Sequence, residues 1–209
     1  MEKPRSGLSE KYDQRYSESD KVFGGGRPEA FVLEGATLIP KDAKVIEFGA
    51  GQGRNALALA QRGFQVSAID ISRVGVEAMN RFAEKESLSN FKAEVGDARE
   101  GLTKEYDFVV STFMLHHLTR QEAEAFIRNI KEHTREGGLN AIAAFTVEGD
   151  FSKTDRVHFY PALGEIKELY SDWEVLSYNE GDGWAKATHP DGTPMFNIKA
   201  EILVRKPKS

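Results

Sequence analysis

Lys44-Val45-Ile46-Glu47-Phe48-Gly49-Ala50-Gly51-Gln52-Gly53-Arg54-Asn55 is an apolar run that closes on an acid and opens into a turn carrying three glycines. It reads as a buried strand, a tight loop and the start of a helix. Glycine at 49, 51 and 53 permits positive φ angles and removes the Cβ atoms that would keep a ligand off the main chain. The next segment, Asn55 to Arg62, is rich in strong helix formers and aims its first free N–H groups back at the loop. Gly63 punctuates. Phe64 to Asp70 then reads as a second strand ending in a carboxylate roughly 20 residues beyond the first glycine, the place of a ribose-binding acid in a βαβ unit.

The glycine spacing departs from that of a dinucleotide site. A dinucleotide site has Gly-x-Gly-x-x-Gly, and the position for its third glycine is Arg54. The chain carries Gly-x-Gly-x-Gly, with Glu47 two residues ahead. A pyrophosphate seeks the positive end of a helix and is opposed by an acid at the strand end.

Composition narrows the class. The 209 residues fit one domain with a proper core, 40% of them are hydrophobic and 29% charged, and no run reaches the ~20 apolar residues of a membrane helix. The first residues lack the apolar stretch of a secretory signal, so a cytoplasmic location is expected. There is no cysteine, which excludes disulfides, thiolate metal sites and a cysteine nucleophile; no metal site is expected. A net charge of −5 without a basic stripe before the short tail Arg205-Lys206-Pro207-Lys208 argues against nucleic acid.

Along the chain, Tyr12 and Tyr16 stand four apart and share one face of a short helix. Phe23 to Pro28, with Gly24-Gly25-Gly26, reads as a loop before a helix over 29–38, and residues 1–28 read either as packing or as a lid in which Arg27 meets the ligand's carboxylate. Ser72 is a candidate N-cap for a helix with a core stripe at Val76, Met79, Phe82 and Ala83. Phe91 to Val95 is a third strand, leading to Asp97 at its carboxyl end, where open α/β sheets bind ligands; Asp97 could accept a hydrogen bond from an adenine amino group. Tyr106 to Ser111 is a fourth strand of the buried parallel type. Thr119 and Glu122 form a capping box, Gly137-Gly138 end that helix, and Leu139 to Val147 is a fifth strand. After an irregular stretch over 151–161 and a helix over 162–170, residues 173–180 and 195–204 alternate as an antiparallel hairpin. The pattern predicts a doubly wound, mostly parallel α/β sheet.

The run from Val45 to Leu118 resembles the core of class I S-adenosylmethionine-dependent methyltransferases, through Glu-x-Gly-x-Gly-x-Gly. Within them, residues 151–206 resemble the tellurite-resistance methyltransferase family, through Tyr170-Ser171-Asp172-Trp173-Glu174, Leu176-Ser177-Tyr178-Asn179-Glu180 and the final strand. The resemblance implies one Rossmann-like domain over 1–209, seven strands with a C-terminal antiparallel hairpin, an N-terminal lid over 1–28 and a substrate-side extension over 148–209. It implies that Glu47, Gly49, Ala50 and Gly51 line the methionine end of S-adenosyl-L-methionine, that Arg54 matches the arginine after the third glycine, and that Asp70, with Ile71 beside it, holds the ribose. Asp97 and Ala98 would take the adenine, Ser111 and Thr112 would offer backbone contacts to the amino-acid portion, and Phe23 and Arg27 would close from the N-terminal segment. Where that family carries a His-Arg pair before the last strand, this chain has Lys186-Ala187, with His189 displaced.

The expected chemistry is in-line methyl transfer to a small-molecule acceptor such as a thiol, hydroxyl or chalcogen oxyanion, releasing S-adenosyl-L-homocysteine, by a monomer or homodimer. His116, His117 and Lys186 are the candidates to assist the acceptor. The absence of Asn/Asp-Pro-Pro-Tyr after the fourth strand, where Ser111-Thr112-Phe113-Met114 stands, argues against amino groups of bases or glutamine. The rival readings are a non-catalytic S-adenosylmethionine sensor and an NAD-linked oxidoreductase.

Overall fold

The structure, a computed structural model, describes residues 6–18, 26–154, 158–182 and 188–208, with Ser6 and Thr154 described by their backbone only. Phe23 and Lys186, both named from the sequence, lie outside the described residues. The elements are α1 (Ser6–Ser17), α2 (Ala30–Ala36), β1 (Lys44–Phe48), α3 (Ala56–Ala60), β2 (Gln65–Asp70), α4 (Arg73–Lys85) and β3 (Phe91–Val95). They continue with β4 (Tyr106–Thr112), α5 (Arg120–Glu132), β5 (Thr134–Phe145), α6 (Asp150–Thr154), α7 (Glu165–Leu169), β6 (Glu174–Asp182) and β7 (Ile198–Arg205).

The seven strands form one sheet in the order β3-β2-β1-β4-β5-β7-β6. The first five are parallel and β7 runs antiparallel to both neighbours. The order reverses between β1 and β4, so the crevice outside their carboxyl ends is the switch point of the sheet, the place where such folds hold ligands.

Both faces of the central strands are covered, which explains their near-continuous apolar sequence. Phe108 and Val110 of β4 pack with Phe31, Val32, Leu57 and Met79 on one side, while Val109 packs with Phe126, Ile127, Ile130 and Ile142 on the other. Ser72 caps α4 by accepting from the Gly75 N–H at 3.1 Å, and Thr119 with Glu122 closes the capping box of α5.

Three expectations need correction. Phe82 is 38% exposed rather than core, because α4 covers the edge strand β3 and no strand among the described residues lies beyond that edge to bury its outer flank. Gly137 and Gly138 do not end α5, which stops at Glu132. They sit inside β5, where Gly137 adopts φ +72° beside a register shift between Tyr106 and Phe108; main-chain bonds to Lys206 hold them there. Within the stretch expected to be irregular, α6 forms and docks through the Phe151 N–H on Asn197 Oδ1 at 3.0 Å.

Helix α2 approaches the sheet through Gly35, where a Cβ would lie 2.8 Å from Phe108 Cζ and 2.9 Å from Leu203 Cδ1. Gly35→Ala is expected to lower stability by ~1–3 kcal/mol despite its better helix propensity, since overpacking outweighs a gain of at most ~1 kcal/mol. Urea unfolding checks this as a lowered midpoint with an unchanged slope.

Candidate functional site

The turn after β1 is held by two buried carboxylates. All three glycines are left-handed, at φ +67° for Gly49, +59° for Gly51 and +87° for Gly53. Gly49 and Ala50 donate to the Ile69 carbonyl at 2.9 and 3.2 Å, and Gly51 donates to Asp70 Oδ2 at 2.7 Å. The other oxygen of Asp70 accepts from the Ser72 N–H at 2.8 Å. Burial pushes the Asp70 carboxyl up from its ordinary value, and these N–H donors pull it back.

Glu47 is 1% exposed. Its Oε1 accepts from Asn55 Nδ2 at 2.7 Å and its Oε2 from the Ala56 N–H at 2.8 Å, at the start of α3. Burial raises its pKa to about 7, against the pull of those donors and of Arg54. Asn55, fully buried, also donates to Thr112 Oγ1 at 3.2 Å and accepts from the Glu29 N–H at 2.8 Å. One amide thereby ties β1, β4 and the start of α2 together. The sequence reading took Asn55 as an ordinary helix residue; the signal was a cap-type side chain directly before an alanine-rich helix.

Arg54 does not face the turn alone. It pairs with Glu29 at 2.6 Å and lies 5.8 Å over the ring of Phe113. At the carboxyl end of β4, Ser111 is fully buried and its Oγ has no hydrogen-bond partner among the described residues. Phe113 follows at φ +57°, a conformation that strains a bulky residue. At the end of β3, Asp97 is engaged by Arg99, with Nη2 at 2.7 Å and Nε at 3.0 Å from each carboxylate oxygen. Ala98 opens the 3-10 turn beside it. Ile71 is half-buried after β2, and Arg27 is exposed ahead of α2.

His116 and His117 close a 3-10 turn after β4, with ring centroids 4.0 Å apart. His116 lies against Phe145 and stacks at 6.0 Å on Tyr160; its Nδ1 is out of solvent and has no hydrogen-bond partner among the described residues. Burial, with the positive fields of His158 and Lys11, depresses it to about 4, so it is neutral. His117 Nε2 is 2.7 Å from the hydroxyl of Tyr12.

Helix α1 lies across this edge. Tyr12 and Tyr16 do share a face, with centroids 5.5 Å apart. Asp13 accepts from Ser72 Oγ at 2.6 Å and from the Val74 N–H at 3.1 Å. The Tyr16 hydroxyl stands 2.9 Å from where a Gly51 Cβ would be, and its ring 3.2 Å from a Cβ on Gly75. The helix thus touches the loops after β1, β2 and β4. The sequence reading considered this segment for packing or closure without seeing Asp13 as a tie.

An open parallel sheet closed by an antiparallel β7 slotted before β6, with a Glu-x-Gly-x-Gly-x-Gly turn at the switch point, defines the Rossmann-like methyltransferase fold. The family model described as Tellurite resistance protein TehB matches residues 21–201, and the chain belongs to that family. The probable S-adenosyl-L-methionine-dependent methyltransferase TehB of Haemophilus influenzae is 35% identical over 84% of this chain, which spans 61% of that relative's length. The crystal structure of TehB from Haemophilus influenzae superposes with a TM-score of 0.77 at 32% identity, over 93% of this chain and 67% of that one. A SAM-dependent methyltransferase structure from Methanosarcina mazei shares the fold at 15% identity, with a TM-score of 0.67 over 88% of this chain and all of the other.

The raised pKa of Glu47 has a sign. Its protonated form is favoured by folding, so its contribution is fully present below the unfolded value near 4.5 and is lost as pH rises through about 7. The unfolding free energy of the ligand-free protein, from urea titrations, should fall between pH 5 and 7.5 by an amount on the order of 2 kcal/mol, and Glu47→Gln should flatten that slope.

Proposed function

We propose that the chain transfers the methyl group of S-adenosyl-L-methionine to a small-molecule acceptor. One observation carries the reading: a bare left-handed glycine turn at the sheet's switch point, flanked by the buried acids Glu47 and Asp70. Residues present fit that donor. The turn carries no Cβ at 49, 51 and 53, Asp70 stands where ribose hydroxyls are held in a βαβ unit, and the buried Ser111 hydroxyl at the end of β4 has no hydrogen-bond partner among the described residues.

Glu47, Gly49, Ala50, Gly51 and Arg54 would hold the methionine portion, Asp70 and Ile71 the ribose, and Asp97 and Ala98 the adenine. Ser111 and Thr112 would add backbone contacts, and Arg27 with Phe23 would close from the N-terminal side. When bound, the donor supplies an electrophilic methyl group on a sulfonium. The chain's own contribution is to align, to exclude water and to accept a proton. Helix α1 serves exclusion, since it already spans the three loops. The acceptor is placed beside the histidines after β4, walled by Phe113, Phe145 and Tyr160, with ring centroids of Phe113 and Phe145 4.8 Å apart. His116, held neutral, serves as a hydrogen-bonding group to the acceptor; His117 is the candidate base, with Lys186 a further candidate to assist. No helix among the described residues is long and apolar enough to cross a membrane, and an acceptor drawn from the aqueous phase fits that.

Calorimetry with S-adenosyl-L-homocysteine and with NADH tests the reading. The wild type should bind the former and not the latter. Asp70→Asn keeps the size of the side chain but loses its charge, and should weaken S-adenosyl-L-homocysteine binding at least tenfold, about 1.4 kcal/mol. Preferential NADH binding would reject the proposal.

A further inference from the structure

We propose that Tyr12, reaching in from α1, and His117, after β4, form a proton relay that lets the site methylate acceptors arriving in their protonated form. The inference rests on the methyl-transfer reading and adds to it a residue from the covering helix and a substrate class, small thiols or hydroxyls that are not ionised at neutral pH.

The geometry points there. The Tyr12 hydroxyl is 2.7 Å from His117 Nε2, a strong hydrogen-bond length, and the two rings meet edge to face at 5.3 Å. This bond crosses from the N-terminal helix to the end of β4, above the turn that Tyr16 covers. Asp70, on the ribose side, is near enough for its charge to raise the Tyr12 phenol, while the hydroxyl reaches His117 on the acceptor side.

The surroundings set the direction of the proton. Burial, opposed by Arg15 and reinforced by Asp70, raises the Tyr12 phenol above its ordinary value. It therefore keeps its proton at neutral pH, and it donates that proton to His117 Nε2 in the tautomer that leaves this nitrogen unprotonated. The His116 ring lies 4.0 Å from that of His117 and is neutral, so it places no competing charge there. A phenol whose hydrogen is committed to an imidazole still has lone pairs, and these can receive a proton from a third group.

The step balances as follows for a thiol. The acceptor sulfur's lone pair forms the new S–CH3 bond while the methyl–sulfonium bond breaks, its electron pair staying on the donor's sulfur. The acceptor's S–H proton passes to Tyr12 Oη as the Tyr12 proton passes to His117 Nε2. The imidazolium returns its proton to solvent after the products leave.

The test compares two acceptors. 2-Mercaptoethanol, a weaker acid than the cysteine thiol of pKa ~8.5, is almost wholly protonated at neutral pH, whereas thiophenol is largely ionised there and needs no base. The wild type should methylate both at pH 7. Tyr12→Phe, which keeps the ring, should lose about 10²-fold in kcat on 2-mercaptoethanol but within about threefold on thiophenol, with the loss on 2-mercaptoethanol shrinking as pH rises into the range where that thiol ionises. His117→Gln should give the same acceptor-selective loss, and both variants should retain wild-type affinity for S-adenosyl-L-homocysteine. Equal losses on both acceptors would make the bond structural and overturn the relay, as would an unchanged variant or a wild type that methylates thiophenol alone. A wild type that binds no S-adenosyl-L-homocysteine and methylates neither thiol would instead overturn the methyl-transfer reading beneath it.

Discussion

The Asp70 carboxylate, buried at the end of β2, must be matched by donors or it would cost several kcal/mol. It takes them from the Gly51 and Ser72 main chain. This single group fixes the turn after β1 against the loop after β2, and so decides where bare backbone is presented. Glu47 does the same one strand away, through Asn55 and the start of α3. Satisfied carboxylates on neighbouring strands leave the turn little freedom to relax. The left-handed glycines are consequences of that constraint as much as its cause.

The same edge explains why α1 is there. Its tyrosine face and Asp13 meet positions that accept close approach: Gly51 and Gly75, where no Cβ intervenes, and the free N–H groups at the start of α4. A helix seated on small residues and cap donors has few apolar anchors. Elements of that kind belong to the low-stability end of a fold, from which moving lids are drawn. On the far side, Phe113 is held in a strained backbone to lay its ring beside Phe145. Strain of that sort persists where surrounding structure insists on it, often at functional sites.

Much of this was legible from residues. The β1 stretch, the glycine spacing, Asp70 and the capping signals at Ser72 and Thr119 gave the parallel sheet, because each rests on local chemistry that tertiary context had no reason to override. The hairpin of β6 and β7 was legible from alternation; that β7 rather than β6 pairs with β5 was not, because the choice is made by sheet pairing. What local rules missed was set by long-range pairing. Gly137 and Gly138 looked like a helix stop and became part of β5 because the Lys206 main chain was available to pair with them. Asn55 and Asp13 were missed because Glu29, Thr112, Ser72 and Val74 lie far along the chain; Arg99's hold on Asp97 is a local contact that two loop residues gave no pattern to announce.

The account turns on where a donor lies, and a crystal structure of the protein with S-adenosyl-L-homocysteine bound tests that most directly. It predicts the ligand along Gly49 to Gly51, its ribose hydroxyls on Asp70 and its amino-acid end towards Glu47 and Ser111, with the sulfur facing His117. A ligand seated elsewhere, or one whose ribose leaves Asp70 bonded only to Gly51 and Ser72, would contradict it.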